Sequence, residues 1–447
     1  MQAASVGTKP STPRMFAADP VSCNRSGLRS PVMDAPSQPI GRFDSLKVST
    51  FQRLWFGGMF VFLAMQTQQI ARAWLAFDLT GTNTALGGVL IGFGVSGLFA
   101  IPAGGVIADR FDKRMVIVLT QLVNVVTTLA IAGAIETETI AYWMIVLASV
   151  IGGATISILT PSRIAMTAEL VDREQLTNAV MLSNMSAQVT RVIGPGIAGV
   201  LIGISFVGVV GVYYLSALLS VGAVFLSLTL PASPPARRRS TGPIEDLAEG
   251  IRYTRADPEL VRLLVASLLI IMFGFAHQAF LPAIVVDLFD RGSGSLGALT
   301  MSSALGAVVT SFVLANTPRD QLSRRQGLAS YGLGGALLVF AVVPTFATAL
   351  VALFFVGCGM AGFQALNGSL VLATADMEYH GRVQSLIMLS FSAFGLAALP
   401  FGIVADAVGL RETMVGMGVA VLLAALQSDV WRRRNDARSD PTHFEEL

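Results

Sequence analysis

Long apolar runs alternate with short polar breaks along this chain, and twelve such runs occur. They cover residues 54–79, 84–108, 115–135, 141–160, 177–203, 206–230, 263–288, 296–316, 328–347, 350–372, 383–405 and 412–430. A hydrocarbon core about 30 Å thick is crossed by about 20 apolar residues in a helix, so each run meets or approaches the length of one crossing. The ninth and tenth are parted only by Pro344 and a short turn. An open sheet would leave backbone groups unpaired in lipid, and runs this long do not suit the alternating strands of a barrel. The pattern predicts an all-α membrane protein with twelve transmembrane helices.

Composition agrees: 53% of the residues are hydrophobic, 13% are charged, and the mean hydropathy is +0.67. Soluble domains carry about 25% charge, so that class is removed. Charge then sets the orientation. With both termini cytoplasmic, 26 of the 30 basic residues fall in tails and inner loops, and only Arg291 and Arg411 fall outside. The remaining two, Arg72 and Arg191, lie within predicted helices. Such a bias fixes the topology, and because the basic residues are spread as orientation signals, no nucleic-acid partner is expected.

Residues 1–48 are rich in Ser, Pro, Gly and Ala and read as a disordered cytoplasmic tail, with no apolar run long enough for a signal peptide. A start at Met33 would leave a shorter lead-in, "MDAPSQPIGRFDSLKVSTFQRLW". Residues 432–447 read as a polar cytoplasmic tail. Cys23 lies in the first tail and Cys358 in a helix, so no disulfide framework is expected.

The apolar runs are also duplicated. "MTAELVDREQLTNAVMLS" (166–183) and "ATADMEYHGRVQSLIMLS" (373–390) match at an offset of 207, with Glu169 answered by Asp376. The duplication divides the chain into a six-helix bundle over 49–231, a linker over 232–262 and a second bundle over 263–431. In the linker Ile244, Leu247 and Ile251 share one helical face, which predicts a short helix lying on the membrane surface.

"GGVIADRFDKR" (104–114) resembles the cytoplasmic signature of the major facilitator superfamily, with Gly105, Asp109, Arg110, Lys113 and Arg114 at matching positions and Asp112 in place of a glycine. "PSRIAMTAELVDREQLTNAVMLSNMSAQVTRVIGPGIAG" and "HGRVQSL" resemble the branch that holds enterobactin and macrolide exporters. The resemblance implies two pseudo-symmetric bundles with a substrate site between them near the midplane. It also implies a cytoplasmic gate that joins Gly105 and Asp109 to the eleventh helix near Arg382. Glu169 and Asp376 stand at the same boundary, and exchange against protons is the expected energy source.

Within the fifth helix, Thr177, Asn184, Gln188, Arg191 and Pro195 share a face. Arg191 lies about 21 Å along the helix from Thr177 at 1.5 Å per residue, too deep to reach the inner surface easily. An intramembrane charge of this kind faces a bundle interior or a wet cavity, which makes Arg191, Gln188 and Asn184 cavity candidates. Gln68, Gln69 and Arg72 of the first helix, His277 of the seventh, and Gln364 and Asn367 of the tenth are further candidates. Gly194, Pro195, Gly196 and Gly199 form a predicted hinge, since proline removes a backbone donor and bends a helix.

None of the 28 acidic residues falls at a helix centre, so a cavity holding arginines without carboxylates would repel cations. The expected substrate is an anionic or neutral amphipathic small molecule such as a siderophore-like metabolite, with multidrug or macrolide efflux as the alternative. A transport-inactive sensor and a lipid flippase are further readings. No phosphate-binding loop suggests an ATP-driven pump. His277, His380 and His443 are far apart, which disfavours an enzyme or metal centre. The chain is expected to work in a lipid bilayer as a monomer, without cofactor or metal.

Overall fold

The structure is a computed structural model that describes residues 44–172, 174–233, 243–314, 317–376 and 379–439. Among these residues every regular element is helical. A short 3-10 turn, Asp44–Lys47, precedes α1 (Ser49–Thr80), α2 (Asn83–Arg110), α3 (Lys113–Glu136), α4 (Tyr142–Leu170), α5 (Leu176–Gly203) and α6 (Gly208–Leu228). The linker carries α7 (Pro243–Ala256). The second half holds α8 (Pro258–Gly274), the single turn α9 (Leu281–Ala283), α10 (Ser293–Leu314), α11 (Leu322–Val342), α12 (Phe346–Thr374), α13 (His380–Val408) and α14 (Leu410–Ser439). Each predicted apolar run except the seventh falls for the most part on one of these helices. Among the described residues nine helical stretches are long and apolar enough to cross a membrane, and Asn83–Gly97 is a shorter apolar one.

Local chemistry sets the boundaries. Gly81, in the left-handed region at φ +63°, ends α1, and the Thr82 side chain accepts from the amide of Ala85 to start α2. Asp112 accepts from the Met115 amide at 2.9 Å and so caps α3, which explains an aspartate where the superfamily signature has a glycine. Thr345 and Thr348 form a reciprocal cap at the start of α12, just past Pro344.

Three stretches differ from the predicted runs. The seventh run is not one helix. After Gly274 it passes through a 3-10 segment (Ala276–Phe280), α9 and a π segment (Ile284–Leu288), because Pro282 cannot donate and the backbone must re-pair around it. The fourth run extends past Pro161 to Leu170, so Arg163, which the sequence places in an inner loop, lies inside α4 and donates to the Leu54 carbonyl at 3.1 Å. The last run continues as helix through Ser439, held by Arg432 on Asp429 and Ser323.

Trp143, Phe206, Leu218 and Phe225 are exposed, as befits faces turned toward acyl chains rather than water. The largest buried cluster joins Phe77 and Leu86 of the first half to Ile270, Phe280 and Ala398 of the second.

Candidate functional site

The two halves meet where α5 packs on α10 and α2 on α13. A Cβ on Gly199 would stand 2.5 Å from the Gly297 Cα, and one on Gly94 would stand 3.0 Å from that of Gly395. Only glycine permits helix axes to come this close. Gly196 faces Met301 on the same side, Gly194 faces Gln66 of α1, and Pro195 sits inside α5.

Asp406, at the far end of α13, completes this contact. Its carboxylate accepts from the backbone amides of Asn83 and Thr84, both at 2.8 Å, and from the side chains of both residues. An acid of one half therefore caps the first turn of a helix in the other, where the unpaired amides and helix dipole favour negative charge.

Followed from Pro195 toward Leu176, the same face of α5 presents Arg191, Gln188, Asn184 and Met181, all within about 40° by helical geometry. All four are exposed. On α10 Leu305 and Phe312 are uncovered as well, Phe312 at 76%. The two helices are therefore packed together near Gly199 and Gly297 and uncovered toward Leu176 and Leu314. Among the described residues Arg191 has no hydrogen-bond or ion-pair partner. Gln69 and Gln364 are also exposed.

The other candidates sit elsewhere. Gln68 is buried and donates to Thr128 at 3.1 Å. Arg72 turns toward α4, with long contacts to the carbonyls of Gln68 and Ala148 and to the Ser149 hydroxyl. Asn367 is buried between Gln326 and Ser267. His277 is 1% exposed; its Nδ1 lies 2.7 Å from the Gly274 carbonyl and its Nε2 has no partner.

The gate candidates gather around the linker. Lys113, 4% exposed, pairs with Glu169 at 2.7 Å, and both reach the Ser233 hydroxyl. Ser233 also donates its amide to Asp112. In the second half Arg382 holds Glu249 of α7 through two contacts at 3.0 Å, while Tyr253 of α7 donates to Asp376 and stacks on Tyr379 at 3.9 Å. Arg110 is exposed and Arg114 half-buried at the same end. Gly105 and Asp109 fall on the backbone of α2, and the surroundings of Gly105 and the Asp109 side chain lie outside the described residues.

Residues that sequence reasoning missed are Asp406, Ser233, Glu249 and Tyr253. Each works through a partner more than a hundred positions away, and no spacing along the chain announces that.

Residues 40–444 match the model of a family described as transmembrane secretion effector. Similar proteins include the staphyloferrin A transporter of Staphylococcus aureus (strain NCTC 8325 / PS 47), 24% identical over 71% of this chain and 80% of the relative. Macrolide efflux protein A of Streptococcus pyogenes is 24% identical over 84% and 94%, and the enterobactin exporter EntS of Escherichia coli O1:K1 / APEC is 26% identical over 72% and 74%. Among solved structures, a bacterial homologue of the human lysosomal transporter Spinster superposes with a TM-score of 0.71 at 14% identity, covering 86% of this chain and 96% of that one. The nucleoside transporter NupG gives 0.64 at 14%, over 86% and 98%.

Proposed function

We infer that this chain, which belongs to the transmembrane secretion effector family within the major facilitator superfamily, exports an anionic or neutral amphipathic small molecule by alternating access. The cargo is of the siderophore class that the names of two relatives describe. The protein is a multi-pass membrane transporter, not an enzyme. The observation that supports the substrate reading is the exposed stripe Asn184–Gln188–Arg191, whose guanidinium has no partner among the described residues. An unpaired cation at this depth is costly unless water or an anion meets it, so the stripe favours cargo with negative or polar oxygen groups. Met181 and Met185 beside it suit an apolar body.

Twelve crossings, cytoplasmic termini, a hinge at Gly194–Gly199 and a working monomer complete the proposal. Protons are its coupling ion. The gate role of Gly105, Asp109, Arg110, Lys113, Arg114, Glu169, Asp376 and Arg382 is part of the same reading, as is a cavity role for Gln69 and Gln364. The macrolide efflux relative supports the alternative cargo, a bulky amphipathic drug.

Transport into inverted vesicles under an imposed proton gradient tests the assignment. Arg191→Ala is expected to lower uptake of a catecholate or carboxylate siderophore at least about tenfold, the loss of one charge-assisted contact. Uptake at the wild-type rate removes Arg191 from the binding site.

A further inference from the structure

A groove among α10, α11 and α12 lies apart from the face that α10 turns toward α5. Leu314 of α10, Arg325 and Leu328 of α11, and Phe355, Gly362 and Leu366 of α12 line about 340 Å³ of open space, a volume within the range of about 300–1,000 Å³ found for ligand clefts. By helical geometry Leu314 stands on the opposite side of α10 from Leu305 and Phe312. Glycines make the room. A Cβ on Gly362 would lie 3.1 Å from the Ala329 Cβ, which closes the floor, whereas a Cβ on Gly332 would meet nothing within 4 Å. Leu328 and Phe355 are 63% and 55% exposed, an apolar rim of the kind that marks a membrane contact.

Length and charge select the occupant. On α12 the lining runs from Leu366 to Phe355, about 16 Å at 1.5 Å per residue, and one leaflet of a hydrocarbon core is about 15 Å deep. That is the reach of one acyl chain. Arg325, in the first turn of α11, stands in the polar part of the groove, and its Nη1 donates to the Thr317 hydroxyl at 3.0 Å. A guanidinium offers five donors, and among the described residues no carboxylate pairs with this one. Around it, residues 319–325 and 429–434 carry six arginines against Asp320 and Asp429, and the bond from Arg432 to Ser323 brings the two segments together. A soluble anion would answer Arg325 and leave the apolar length empty. A zwitterionic lipid would fill the length but brings its own cation to the phosphate. An anionic phospholipid answers both.

We propose that this groove is a binding site for one anionic phospholipid, with its phosphodiester on the Arg325 guanidinium and one acyl chain laid along α12 toward Phe355. On the orientation proposed above, the headgroup sits in the cytoplasmic leaflet, where anionic lipids gather. The site uses none of the cavity or gate residues, needs only that the chain lies in a membrane, and is tested without any transport assay.

The full-length protein, stripped of lipid in detergent, is titrated with dioleoyl phosphatidylglycerol or dioleoyl phosphatidylcholine, and the first bound lipid is read by native mass spectrometry. Phosphatidylglycerol is expected to bind about fivefold tighter or more, the effect of one arginine near a headgroup. Arg325→Gln should bring the two lipids within about twofold of each other. Gly332→Leu, which adds bulk where the space is open, should weaken both about tenfold by displacing part of the chain. Arg324→Gln, exposed and outside the lining, should change neither. A phosphatidylglycerol carrying a diazirine in its acyl chain is expected to label the peptides around Gly332 and Phe355. Should Arg325→Gln fail to fold, Gly332→Leu and the labelling decide. Equal binding of the two lipids, a preference that survives Arg325→Gln, unchanged binding in Gly332→Leu, or displacement of the lipid by equimolar glycerol phosphate overturns the proposal.

Discussion

At the end where α2 begins and α13 finishes, the two halves touch directly. Asp406 caps Asn83 and Thr84, glycines let α5 and α10 approach, and Phe77 and Leu86 enter the core of the second half. At the opposite end Glu169 and Asp376, the matched acids of the duplication, each reach the segment that joins the halves. Glu169 meets Ser233 at its beginning, and Asp376 meets Tyr253 in α7. One end is therefore a seam that must part if the halves are to rock. The other is a strap fastened to both sides, and its bonds can survive as the helices beneath it move. On the alternating-access reading proposed above, direct contact resists opening and the strap bounds it.

Breaking the seam sterically should have the largest effect. Gly199→Leu places bulk where the Gly297 Cα lies 2.5 Å from a first added carbon. Loss of close packing is expected to cut transport more than about tenfold, and spin labels on Thr82 and Gly409 should report a longer distance. An unchanged distance distribution would show that the seam yields without cost.

Removing the charge rather than the packing comes next. Asp406→Ala deletes all four hydrogen bonds to Asn83 and Thr84, worth about 1.4 kcal/mol for a charged cap whose acid is exposed. The same spin-label pair is then expected to show roughly tenfold more of the separated state, and Asp406→Asn should fall between the two.

At the strap, Glu169→Gln leaves Lys113, 4% exposed, without its counter-charge. Because Glu169 is itself 43% exposed, the loss is discounted to about 1–2 kcal/mol. It reads out as a lowered melting temperature, which Lys113→Met in the same chain should partly restore. A double variant no better than the single one would break this pairing. Smallest is Tyr253→Phe, which loses the bonds to Asp376 but keeps the stack on Tyr379. About 0.5–1 kcal/mol is expected, with transport within twofold of wild type. A larger drop would mean that the strap carries closure rather than merely bounding it.

The two ends differ also in how well the chain advertised them. Helix positions were legible because apolar periodicity is local, and the α5 stripe was legible because Asn184, Gln188 and Arg191 recur at helical spacing. The break in the seventh run was missed although Pro282 lies within it, and which of the 3-10 and π forms absorbs it depends on the packing of Phe280 and Ile284 in the core. Arg163 was misplaced because Pro161 looks like a helix end, whereas α4 carries it inside. Asp406 looked like one more acid at a helix end. Its role needs the start of α2, over three hundred residues earlier, to lie beside it. The matched acids were visible as a repeat, but a repeat says nothing of the linker that neither copy contains.

Fastening the strap at Ser233 and again at α7 gives it the mechanics of a leash. Ten peptide steps separate Ser233 from Pro243, a contour of at most about 35 Å when drawn taut. Cargo of the proposed exporter enters on that side, so shortening the leash is expected to turn away bulky molecules before small ones.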